Sequence, residues 1–150
     1  MIKPVFFDVI NYSLCRAANE YLGDKATEFF RRVGEYHLEE ALKRGLIHLN
    51  ADDSPLEVLI KIAEYLETSG YMEKISINRL SEKDAIVEMN GVAVAESSAK
   101  LLKEGNKPSH FMTNTMFAAL RKFAIQADLK DMEYDEKEAR FKEYWKILQV

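Results

Sequence analysis

One cysteine, Cys15, occurs in 150 residues, so the chain forms no internal disulfide and no cysteine-based zinc site. No apolar run approaches the roughly 20 residues needed to cross a bilayer. Met1-Ile2-Lys3-Pro4 opens without the apolar core and small cleavage-site residues of a secretory signal. Cationic residues are not concentrated: 21 Lys and Arg stand against 25 Asp and Glu, a net charge of −4 that argues against general nucleic-acid binding. A glycine-rich phosphate loop, a Ser-His-Asp order and a nucleophile elbow are all missing. No repeat or low-complexity stretch is present. These absences predict a reduced, cytoplasmic domain without a cofactor. What is there is enough for a core: 47% hydrophobic and 11% aromatic residues exclude a disordered chain, and the length suits one domain, residues 1–150.

Periodicity supplies the elements. From Val5 to Leu22 the apolar positions Phe6, Ile10, Leu14, Ala17 and Tyr21 recur at helical steps, which predicts one buried face. Gly23 punctuates, Asp24 is a candidate N-cap, and Lys25–Arg44 reads as a second helix. Its face is less clean: Phe29, Val33, Tyr36 or His37, and Ala41 share one stripe, with Leu38 and Leu42 beside it. Gly45 ends the helix just past the basic turn of Lys43 and Arg44. Ser54-Pro55-Leu56-Glu57 is a capping box with proline at the first helical position, opening a helix over 55–69 that Gly70 stops.

The period then changes. Ile75 and Ile77, then Ala85, Val87 and Met89, alternate with polar neighbours around the turn Ser81–Asp84, a β-hairpin. Val92–Lys103 reads as a short helix or bridging segment, Gly105–Pro108 as a loop, and a further helix starts near Ser109. A second hairpin follows. Leu129, Asp131 and Glu133 are predicted on one face of its first strand and Lys130, Met132 and Tyr134 on the other. Asp135–Glu138 turn, and Phe141, Trp145 and Ile147 share a face of the last strand. The order α-α-α-β-β-α-α-β-β predicts an α+β fold, a four-stranded antiparallel sheet with helices packed on one side.

The segments KATEFFRRVGEYHLEEALKRG, SPLEVLIKIAEYLETSGYMEKISI and NKPSHFMTNTMFAALRKF, with the closing hairpin, resemble the 4-vinyl reductase domain, whose fold is shared by the small core subunits of the TRAPP vesicle-tethering complex. Gly34, the helix opened by Ser54-Pro55 and the run from Gly105 to His110 and Phe111 carry the likeness over residues 22–148, with residues 1–22 as an N-terminal helix. The resemblance implies a homodimer formed through helices and a hydrophobic cavity for a small, hydrocarbon-like ligand. Many members also carry cysteines in the final hairpin that are thought to hold a metal. Here the matching Tyr134–Phe141 stretch keeps the Phe without the cysteines or glycine, and no metal is predicted.

Candidate ligand-binding residues for an apolar cavity are Phe30, Gly34, Tyr36, Phe111, Met112, Asn114 and Trp145, with His110 as the polar group that orients a ligand. Methionine adapts its shape cheaply, so Met112, Met116 and the nearby phenylalanines suit varied apolar ligands, although such a stripe is more often ordinary core. Thr113 and Asn114 are small polar groups in an apolar segment and need partners if buried. Gly34, at about 1 kcal/mol below alanine in a helix, marks a close approach of backbone or ligand. His110 either orients a ligand or caps its own helix. His37 reads as solvated helix surface, His48 as loop, and Cys15 as an inert small hydrophobe. The leading reading is a small-molecule-binding domain, sensory or regulatory. The alternatives are an assembly module, as in the TRAPP subunits, and a reductase-like enzyme.

Overall fold

The computed structural model describes residues 3–149. Its fold is α+β, with a four-stranded antiparallel sheet and helices packed on one face. The helices are α1 (Pro4–Leu22), α2 (Ala26–Lys43), α3 (Pro55–Thr68), α4 (Ala95–Lys103) and α5 (Phe111–Lys122). The strands are β1 (Lys74–Arg79), β2 (Asp84–Asn90), β3 (Gln126–Asp135) and β4 (Arg140–Gln149). The order across the sheet is β1-β2-β4-β3, so each hairpin contributes one central strand and β2 joins β4. The outer face of that junction is charged, with Glu88 and Lys142 paired at 3.6 Å, as suits a face no helix covers.

The capping box closes as its residues dictate. Glu57 N–H donates to Ser54 Oγ at 3.2 Å and Ser54 N–H donates to Glu57 Oε2 at 2.6 Å. Behind it Val58, Leu59, Ile62, Ala63 and Leu66 are buried. They meet Met116, Ala119 and Leu120 of α5 and the inward residues of the sheet, Val87, Met89, Trp145 and Ile147, in the main core.

Four expectations are corrected. First, Phe6, Ile10, Leu14, Ala17 and Tyr21 lie exposed on α1, which turns Asn11, Cys15 and Ala18 inward instead. A helical stripe records which side is apolar but not what covers it, and the polar Asn11 is held inside by hydrogen bonds. Second, Asp24 does not cap α2: it lies in a 3-10 turn over Gly23–Lys25, and α2 begins without a side-chain cap. The buried face of α2 is Phe30, Gly34, Leu38 and Ala41, one position round from the stripe of Phe29 and Val33. Third, α5 starts at Phe111, with His110 entering it in the left-handed conformation at φ 48°. Fourth, a bulge between Leu129 and Asp131 resets the alternation of β3. Leu129 pairs with Trp145 and Met132 with Glu143, so both turn to the half-buried side, while Lys130 and Asp131 stay exposed.

Candidate functional site

The N-terminal half of α1, the start of α4 and the loop before α5 lean together through polar contacts, most of them buried. Asn11 Nδ2 donates to Ser97 Oγ at 2.8 Å, Ser109 Oγ donates to Asn11 Oδ1 at 2.8 Å, and Asp8 accepts from Ser97 N–H at 3.2 Å. Cys15 is enclosed in a small second cluster with Ala18, Ala26, Phe30 and Leu101. Burial pushes its thiol pKa up, as befits an unreactive side chain.

Between that corner and the sheet lies a cavity of about 60 Å³. Met89 of β2, Met112 and Thr113 of α5, Met132 of β3 and Phe141 and Glu143 of β4 line it, together with Tyr71 and His110. Glu143 is the chemical centre. It is 2% exposed on the helix-facing side of β4, opposite Val87 and Met132. Thr113 Oγ1 donates to its Oε2 at 2.7 Å, and Trp145 Nε1 donates to its Oε1 at 3.2 Å. Burial pushes the carboxyl pKa up, and the two donated hydrogen bonds partly oppose that rise. Tyr71 is shifted up by burial as well, and His110 down, so burial favours the neutral form of all three. Every buried side-chain nitrogen and oxygen among the described residues has a partner, so the acid is accommodated rather than stranded.

Of the residues expected around a cavity, Met112 and His110 line this one. Thr113, which needed a partner if buried, has Glu143. The others are dispersed. Phe30 packs in the second cluster away from the cavity. Gly34 meets Asn114 across the α2–α5 crossing, where a Cβ on Gly34 would lie 2.7 Å from Asn114 Cβ. Asn114 turns its amide to Ser109 O at 2.9 Å. Tyr36 is on the surface, its hydroxyl accepting from Arg32 at 2.8 Å. Phe111 packs beside Phe7, with ring centroids 6.3 Å apart. Trp145 fills the core against Phe117 and touches the cavity only through Glu143. It also floors a separate cleft of about 120 Å³ between the start of α3 and the β1–β2 turn, which holds no comparable buried acid. His37, read as solvated, bonds Tyr65 Oη at 2.7 Å and links α2 to α3.

Glu143 itself went unpredicted. Its signal was in the sequence, since it occupies the apolar phase of β4 between Phe141 and Trp145, where a carboxylate must be neutralised or bonded to be tolerated. No group of three or more His, Cys, Asp or Glu side chains able to hold a metal occurs among the described residues, and no helix there is long and apolar enough to cross a membrane.

No family model and no curated protein matches the chain. Solved structures do, as a fold. The Cs H-NOX protein, in a variant carrying 4-cyano-phenylalanine, is 14% identical with a TM-score of 0.54 over 88% of this chain and 69% of its own. An unliganded Fe(II) H-NOX mutant from K. algicida is 12% identical with a TM-score of 0.53 over 83% and 64%. An oxygen-binding H-NOX domain related to soluble guanylate cyclases, in its oxygen complex, is 14% identical with a TM-score of 0.52 over 86% and 65%. The chain therefore spans about two thirds of the length of these H-NOX proteins and is similar to them in fold.

Proposed function

We propose that this chain is a small-molecule-binding domain, sensory or regulatory in role, that holds a small neutral ligand, apolar apart from one hydroxyl, against Glu143. The observation that carries this reading is a buried carboxyl set in a wall of Met89, Met112, Met132 and Phe141. The apolar wall supplies affinity through buried area, and the acid fixes orientation, since in its neutral form it both donates and accepts a hydrogen bond. Support comes from the fold likeness to H-NOX domains, one of which is described as oxygen-binding. The resemblance to 4-vinyl reductase domains points the same way. A cavity of about 60 Å³ is well below the roughly 150 Å³ that accommodates benzene. The ligand is therefore of only a few heavy atoms, or larger only as the three methionine side chains rearrange. A buried, free Cys15 suits a cytoplasmic setting.

Another solved structure of this fold concerns heme distortion in the H-NOX family, and a further one concerns heme redox potential modulated through porphyrin distortion. The residues here do not fit that group. Cofactor-sized pockets run to roughly 300–1,000 Å³, no Lys or Arg lines the cavity to meet carboxylate side groups, and a buried acid occupies its wall.

Trp145 is the single tryptophan and donates directly to Glu143, so its fluorescence and its indole N–H resonance report on the site. Titration with a series of short alcohols up to cyclohexanol should give a saturable shift in both signals, lost or weakened at least tenfold in Glu143→Leu. Ligand responses that are linear with concentration, or identical in the variant, would end the proposal. A second reading, catalysis in the same cavity, draws on the placing of Tyr71, His110 and Glu143 around one space and is distinguished by turnover of the bound compound.

A further inference from the structure

Tyr71 stands in the loop between α3 and β1 with its backbone held on both sides. Its N–H donates to Leu66 O at 3.1 Å, and its carbonyl accepts from Ala93 N–H at 2.8 Å. Its ring meets Phe7 edge-on, with centroids 6.4 Å apart, and lines the cavity that Glu143 lines. The hydroxyl has no hydrogen-bond partner among the described residues, whereas every fully enclosed side-chain nitrogen and oxygen there has one. Tyr71 Oη therefore opens onto free space, and the space that Tyr71 lines is that cavity. Ser98 and His110 line it too, but of the two titratable side chains it is Tyr71 that feels the charge of Glu143, beyond the burial that chiefly raises its pKa. Glu143 is placed differently. Each of its oxygens already accepts one bond, from Trp145 or Thr113, and each has a lone pair left to accept another.

We propose that Tyr71 is the second binding residue of this site, donating to the oxygen of a short aliphatic alcohol whose own O–H donates to Glu143. The inference rests on the reading that the cavity holds a small neutral ligand against Glu143, and it names the group that selects the ligand's oxygen. An uncommitted phenol donor costs free energy unless the ligand accepts from it, so the site favours a strong acceptor over an apolar atom of the same shape. A hydroxyl meets both demands, since it accepts from Tyr71 and keeps a proton for the carboxyl oxygens. A thiol of the same skeleton accepts and donates only weakly. The volume sets the chain length. At roughly 10–15 Å³ for each water-sized space, a cavity of about 60 Å³ holds about four heavy atoms, the size of propan-1-ol.

Propan-1-ol and propane-1-thiol form the ligand arm of a double-mutant cycle, and Tyr71→Phe, which removes only the hydroxyl, forms the protein arm. Both compounds are titrated against the full chain by Trp145 fluorescence, and circular dichroism checks that the variant is folded. The parent should bind the alcohol about tenfold more tightly than the thiol, and Tyr71→Phe should reduce that preference about fivefold with thiol affinity unchanged. A second measurement needs no variant: the C1 protons of bound propan-1-ol should give nuclear Overhauser contacts to the Tyr71 ring protons beside the hydroxyl. A preference that survives Tyr71→Phe but is lost in Glu143→Leu, or bound alcohol without those contacts, would overturn the role of Tyr71 and leave the Glu143 reading standing. Absence of saturable binding of either compound to the parent would overturn both.

Discussion

Thr113 on α5 and Glu143 on β4 are joined by a 2.7 Å hydrogen bond that crosses from the helical layer to the sheet at the wall of the cavity. A carboxyl so deeply placed is tolerated because both of its oxygens are occupied, the second by the indole of Trp145.

Removing the hydroxyl should therefore be felt. Thr113→Val keeps the shape and withdraws one partner from a buried polar group, with an expected loss of about 1–3 kcal/mol in urea unfolding. Adding Glu143→Met to that variant should recover most of the loss, since an apolar pair needs no partner. A Thr113→Val protein as stable as the parent would show that the bond contributes nothing.

Stability should also depend on pH through Glu143. The folded-state pKa is raised above the ordinary value near 4.5, chiefly by burial, so folding favours the protonated acid. The stabilisation is complete below pH 4.5 and declines as pH rises through the raised folded value. Glu143→Gln stays neutral throughout, so its unfolding free energy should improve relative to the parent as pH increases from 4 to 8. Tyr71, raised further above its ordinary value by burial, stays neutral across this range, and His110 titrates in both proteins and drops out of the difference. A difference constant with pH would contradict the assignment.

The contact of Gly34 with Asn114 makes a different prediction. A Cβ on Gly34 would come within 2.8 Å of the Asn114 carbonyl carbon, and backbone cannot swing aside as a side-chain tip can. Gly34→Ala should destabilise by about 1–3 kcal/mol through overpacking, even though alanine favours helix by about 1 kcal/mol. Thermal unfolding checks the sign: a higher melting temperature would mean that α2 and α5 separate freely.

Ala124 follows α5 at φ 57°, a left-handed position where glycine is at ease, and its N–H donates to Arg121 O at 3.0 Å to close the helix end. It is exposed and packs against nothing that a lost methyl would leave empty. Ala124→Gly should stabilise by about 1 kcal/mol, raising the melting temperature by about 2–4 °C.

Much of the architecture is legible in the residues because its signals are local. Ser54, Pro55 and Glu57 define the start of α3 through bonds within one turn, and the alternation at Ile75–Ile77 and Ala85–Met89 defines the first hairpin. Where the reading slipped, a distant contact decided. The stripe of α1 is as apolar as a buried one, yet Asn11 faces inward because Ser97 and Ser109, more than 80 residues away, bond to it. The bulge at Leu129 is invisible to a period of two. The candidate site was legible only at Met112 and His110. Tyr36 reads as apolar by composition but pairs with Arg32 at the surface, and Phe30, Gly34 and Asn114 serve helix packing.

By itself the sequence determined the element order, the single sheet with helices on one side, and the close approach at Gly34, since capping, alternation and the missing side chain act over a few residues. Only the tertiary structure decided that Glu143 is buried beside Thr113 and Trp145, that the cavity lies against it, and that the apolar side of α1 faces outward. Each of those depends on which surfaces distant segments present to one another, and burial, not residue type, gives a carboxyl its raised pKa.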